Sequence, residues 1–134
     1  MKRQAKTRGA QAVEFALMLP VLVAILSGTL DFAWYLHLKH QLVTCVGQGA
    51  RAGAATAADA ALAPTDTAET VASDIWIETG LPGTPDMDAI QTGVTPNIFI
   101  TVVGTIDYEN HKLIGFLPTP ETIVHTAVMR LDEQ

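Results

Sequence analysis

Cysteine is nearly absent from this sequence: among 134 residues only Cys45 is one. An intramolecular disulfide is therefore excluded, and so is any metal site built on paired cysteines. Cys45 itself reads as a small apolar filler on a helix face. Basic side chains are scarce too, 8 Lys and Arg against 14 Asp and Glu. Half of them, Lys2, Arg3, Lys6 and Arg8, precede the first acid, Glu14. Beyond Arg8 only Lys39, Arg51, Lys112 and Arg130 are basic, and such an acidic body argues against nucleic acid as a partner. No nucleophile elbow and no phosphate loop is present. The string GQGARAG follows a helical pattern rather than a strand, so it is not a dinucleotide loop. His37 and His40 lie one helical turn apart without a third ligand nearby, and His111 and His125 are isolated. Asp86 and Asp88 sit between prolines, with a spacing that matches no EF-hand. Enzyme activity, a cofactor and a metal are thus not expected.

What the sequence does have is one long apolar run. From Phe15 to Leu30 there is no charge, and after Asp31 the pattern continues through Phe32, Trp34 and Tyr35 to Leu36. As a helix, Phe15 to Leu36 is about 33 Å long, enough for a hydrocarbon core of about 30 Å. A chain this small could hardly enclose such a helix as a buried core element. A cleaved signal peptide would show small residues after the apolar stretch, whereas the continuation DFAWYLHLKHQL is bulky and keeps a helical period. The basic N-terminus predicts that the helix inserts with that end in the cytoplasm and the remainder exported. Trp34 and Tyr35 fall where an outer interfacial aromatic belt would lie. Glu14 and Asp31 are about 25 Å apart along a helix, so the two carboxylates can sit near opposite interfaces.

Arg8-Gly9-Ala10-Gln11-Ala12-Val13-Glu14-Phe15, followed by ALMLP, resembles the start of the TadE-like family, pilin-like (pseudopilin) proteins of the tight-adherence (Tad/Flp) pilus system. LMLPVLVAILSGTLDFAWYL and QLVTCVGQGARAGAA resemble that family's helix and its Ala-rich end, with Cys45 and Gly47 as departures. The related TadF and TadG share the opening, and shortness favours TadE. The resemblance implies that a prepilin peptidase, an aspartyl protease of the inner membrane, cuts between Gly9 and Ala10. Glu14 is then the fifth residue of the mature chain and Phe15 the sixth. It also implies that Glu14 neutralises the new amine of Ala10 in its own or an adjacent subunit, a pairing that makes a carboxylate tolerable in an apolar setting. The expected partners are the membrane, the peptidase, other pilin or pseudopilin subunits and the Tad machinery. The expected role is that of a minor subunit or assembly factor in pilus biogenesis, adhesion and surface colonisation. The alternative is an uncleaved single-pass scaffold or export-side binding protein.

The expected architecture is α+β: leader 1–9, transmembrane helix 10–36, and a small export-side domain 37–134 with a short helix and two or three antiparallel strands. Leu38, Leu42, Cys45, Gly49 and Ala52 follow one face of the continuing helix. The small residues Gly47, Gly49, Ala50 and Gly53 allow another element to approach closely, and Gly49 and Gly53 have GxxxG spacing. Residues 56–66 read as a linker. Asp66 with Glu69 has the spacing of a capping box for a helix ending at Thr79, with Gly80 as its stop. Val71, Ile75, Trp76 and Ile77 would face the core. Residues 81–96 read as loop in which 89–94 can add a short strand. Asn97–Asp107 and Thr122–Leu131 are β-branched strands expected to cover the helix stripe around Ile100 and Val124. The intervening KLIGFLP packs back as a loop or short helix.

Overall fold

The computed structural model of the chain describes residues 3–56, 62–94, 97–115 and 118–131, with side chains from residue 9 onward. Elements follow in the order α1 (Arg3–Ala54), α2 (Pro64–Thr79), β1 (Asp86–Val94), β2 (Asn97–Asp107), a 3-10 turn (Glu109–His111) and β3 (Thr122–Arg130). The α+β class and the single long N-terminal helix agree with the sequence reading. Most of the expected linker, residues 57–61, lies outside the described residues, as do Phe116 and Leu117 of KLIGFLP.

α1 is one helix of 52 residues with Pro20 inside it. Its two halves have different surroundings. Val13, Phe15, Leu17, Met18, Val21, Leu22 and Ile25 are exposed, whereas Leu38, Leu42, Cys45, Val46 and Ala50 are fully buried. Residues of the second kind each contribute on the order of 1–3 kcal/mol by leaving water. That half of α1 is the spine of the core.

β1, β2 and β3 form an antiparallel sheet in sequence order. Period-2 alternation turns Ile100, Val102, Gly104 and Ile106 of β2 inward. Ala89 and Ala127 flank Val102 on one rung, and Ile106 faces Ile123 on another. Ile123, not Val124, is the buried residue at the start of β3; Val124 points to solvent, because adjacent strand residues face opposite ways. The segment read as loop becomes a nine-residue strand from Asp86, pairing along its length with β2. Its inward positions are Met87 and Ala89, too few to outweigh the prolines around them in sequence.

α2 begins at Pro64, two residues before the expected cap Asp66, which therefore lies in the first turn. Ala63 is its N-cap, Pro64 opens the helix, and no side chain caps it. The Asp66–Glu69 box does not form, because Glu69 is used elsewhere: its Oε1 accepts the Ala89 N–H at 2.8 Å, fastening α2 to β1. Gly80 ends the helix in the left-handed conformation, φ 64°. Trp76 is buried and donates its indole N–H to the Gly83 carbonyl at 2.8 Å. Ile77, on the other side of the helix, is exposed rather than in the core.

The GxxxG pair has an intramolecular task. A Cβ on Gly49 would lie 2.5 Å from the Ala68 carbonyl oxygen, and one on Gly53 2.5 Å from that of Pro64. Both glycines therefore form the floor on which α2 lies. Gly104 does the same for the sheet, since a Cβ there would meet Val46 and Leu42. β2 thus runs back along α1: Ile100 lies near Gly53, Gly104 near Val46, and the end of the strand near Asp31.

Candidate functional site: the membrane helix and its junction with the head

Gly9 and Ala10 are exposed positions on α1, in helical backbone, and nothing lies within 4 Å of where a Gly9 Cβ would be. Glu14 and Phe15 follow on the same uncovered helix. Glu14 sits beside Leu17, Met18, Val21, Leu22 and Ile25 on one shallow apolar face of the helix. The structure brings none of these four residues into contact with the head. It presents a carboxylate and an aromatic ring on an otherwise apolar helix, available to lipid or to another helix. α1 is long and apolar enough to cross a membrane, and it is the single such helix among the described residues.

The junction at Asp31 was not legible as a site. Asp31 is 1% exposed, although the sequence places it as one carboxylate at a membrane boundary. Its Oδ1 accepts the backbone N–H of Ile114 at 2.8 Å. The Tyr108 hydroxyl donates to the Asp31 carbonyl at 3.3 Å, and the Tyr108 ring meets Tyr35 edge to face at 5.3 Å. Trp34 donates its indole N–H to the His111 carbonyl at 2.9 Å. One turn of α1 therefore holds the chain between β2 and β3 at three points. Trp34 and Tyr35 are half-buried here, so their polar and aromatic edges serve the head rather than forming the expected belt alone. Burial pushes the Tyr108 hydroxyl above its ordinary range, and the nearby negative charge of Asp31 pushes the same way. Burial likewise raises the Cys45 thiol, which is free and enclosed in the core.

The remaining candidates stay apart. His37 and His40 are both exposed, and the His37 ring stacks on Trp34 at 5.7 Å. Asp86 and Asp88 lie on a strand rather than a loop, both facing solvent. Among the described residues no group of three His, Cys, Asp or Glu is arranged to hold a metal ion.

Fold and site together define a class: an exposed apolar helix, long enough to cross a membrane, that continues without a break into the core of a small α+β head. Residues 9–51 match the family described as TadE-like protein, whose TadE members are part of the Tad pilus system. The matched stretch is α1 almost alone, from the first exposed glycine to the helix end beneath α2. The comparisons find no match among curated proteins or solved structures.

Proposed function

We propose that this chain is a minor pilin-like subunit or assembly factor of a Tad/Flp pilus, anchored in the inner membrane with its N-terminus cytoplasmic and its head on the export side. The reading assigns no reaction to the chain itself. The observation that carries it is the match over residues 9–51, whose first half is an uncovered apolar helix that bears Glu14 one turn after Ala10. In this reading 1–9 is a basic leader, 10–36 the span and 37–134 the exported domain. The leader's Lys and Arg hold the processing site against anionic headgroups. Gly9 presents bare backbone to a peptidase, and Ala10 fits a small adjoining subsite. The cut frees the Ala10 amine, and Glu14 neutralises it in the same or a neighbouring subunit. Phe15 packs beside that pair against the neighbouring helix. The proposed partners are accordingly the lipid bilayer, a prepilin peptidase, and other pilin-like subunits of the machinery.

Helical backbone through Gly9 and Ala10 favours a second reading, an uncleaved single-pass scaffold or export-side binding protein. Protease clefts take extended backbone, so cutting requires the first turns of α1 to unwind. The N-terminal sequence of the protein from cells containing the peptidase decides between the two. A chain starting at Ala10 supports processing, and Gly9→Leu should then abolish it. Glu14→Ala should still insert and be cut, yet fail to assemble. A chain still starting at Met1 or Lys2 supports the scaffold, and one starting well beyond Leu30 removes the anchor altogether.

A further inference from the structure

The loop between β2 and β3 ends its 3-10 turn at His111 and then exposes two large apolar side chains, Leu113 at 56% and Ile114 at 52%. The Ile114 N–H is bound to the Asp31 carboxylate, and the His111 carbonyl to the Trp34 indole. These bonds fix the loop beside the one turn of α1 at which the uncovered apolar run, exposed through Leu30 and Phe32, gives way to the head. From Ala10 to Leu30 a helix measures about 30 Å, the thickness of the hydrocarbon core. A hydrocarbon core filled by that run therefore has its boundary at the level of this loop, and residues 31–36 of the 10–36 span then lie in the headgroup region.

We propose that the segment Lys112–Gly115 rests in the headgroup region of the bilayer that α1 crosses. There it is a second, peripheral membrane contact, with Leu113 and Ile114 directed toward the acyl boundary. The proposal rests on the anchoring of α1 in a membrane. Two apolar side chains beside one lysine suit an interface, because the lysine stem follows the apolar surface while its ammonium reaches lipid phosphate. Gly115 has φ 74°, a left-handed backbone conformation that glycine adopts without strain. Asp31 gains a role from this arrangement. Its carboxylate is a depth gauge, holding the loop by a backbone N–H whatever side chain occupies that position. The contact would restrict tilting of the head about the point where α1 leaves the membrane.

The test uses the full chain in phosphatidylcholine–phosphatidylglycerol vesicles, with an environment-sensitive fluorophore on one introduced cysteine in a Cys45→Ala background. Leu113→Cys is compared with Leu22→Cys in mid-span and with Val94→Cys, which lies at the end of the sheet remote from Tyr108. Lipids carry a spin-label quencher either on the headgroup or within the acyl chain. The expected result is severalfold stronger quenching at Leu113→Cys than at Val94→Cys by headgroup-labelled lipid, with Leu22→Cys quenched by the acyl label. If Leu113→Cys behaves like Val94→Cys while Leu22→Cys is quenched, the loop proposal is overturned and the anchor stands. If Leu22→Cys is not quenched either, anchor and loop contact fall together. Should Cys45→Ala fold poorly, native Cys45 can remain, since it is fully buried and surface labelling reaches only the introduced thiol.

Discussion

The two halves of α1 are one helix by backbone and two materials by surroundings. Gly9 to Leu30 carries apolar side chains in all directions, and the fold covers almost none of them. Asp31 to Ala54 carries one apolar stripe, and the fold covers it with α2 and the sheet. The first half obtains its environment from outside the chain, the second from within it. A single substitution type should therefore have different consequences on the two sides of Asp31.

The largest effect separates them outright. Leu42→Asp puts a charge at a fully buried position with no partner, and should destabilise the head by about 3–5 kcal/mol. Chemical denaturation followed by near-ultraviolet signal from Trp76 measures it. Leu22→Asp should leave that transition where it is, and instead cost about 2.5–3.5 kcal/mol in membrane insertion, read by fractionation. Equal loss of head stability in both variants would break the division of α1 at Asp31.

Glycines sharpen the comparison within the covered half. Gly49→Ala drives a Cβ into the Ala68 carbonyl and the Ala72 side chain, so α2 must shift; about 1–3 kcal/mol should be lost. Gly47, two residues earlier, has nothing within 4 Å of its missing Cβ, and Gly47→Ala should stabilise the helix by up to about 1 kcal/mol. Thermal melts of the pair in detergent give the sign of each. A destabilising Gly47→Ala would mean that this face of α1 is covered.

The sequence made the first half of α1 legible because nothing else competes there: the sixteen residues from Phe15 to Leu30 carry no charge and leave few alternatives. It made β2 legible for the same reason, as Ile, Val and Thr crowd NIFITVVGTID. β1 was harder to see. Its inward residues are a Met and an Ala, and its strand character comes from the ladder with β2 rather than from its own composition. The missing cap of α2 has a similar cause: Glu69 has the capping-box spacing, and its tertiary bond to the Ala89 N–H cannot be read locally. Of the candidate site, Gly9, Ala10, Glu14 and Phe15 were legible as a contiguous motif. The Asp31 junction was not, since its partners Tyr108, His111 and Ile114 lie far along the chain.

That junction is where the comparison can be tested at its boundary. Asp31→Ala removes the acceptor of a part-buried N–H and should cost about 1–3 kcal/mol. The loss should be local, seen as faster amide exchange at Ile114 with little change at Ile100 or Val102. Uniformly faster exchange across β2 would mean that Asp31 supports the whole head rather than fastening one loop to the helix.

The smallest effect is an alkaline one, and it belongs to the covered half alone. Tyr108 and Cys45 both titrate higher in the folded chain than their ordinary values of 10.0 and 9.0, chiefly because burial disfavours their charged forms. The unfolded chain releases these protons first, so between the unfolded and folded values the native state binds more protons. Stability must then fall as pH rises, beginning near 9 and steepening near 10, and these two groups add no such dependence at lower pH. Denaturation midpoints of the full chain in detergent from pH 7 to 11 should trace that decline. Tyr108→Phe should remove its upper part, because the phenol and its proton are gone while the ring against Tyr35 is kept. The variant gives up only the long bond to the Asp31 carbonyl, so its midpoint at pH 7 should drop slightly and its curve should cross the parent's at high pH. Parallel curves over the whole range would show that Tyr108 ionises as freely in the folded chain as in the unfolded one, and that the junction at Asp31 is open to water.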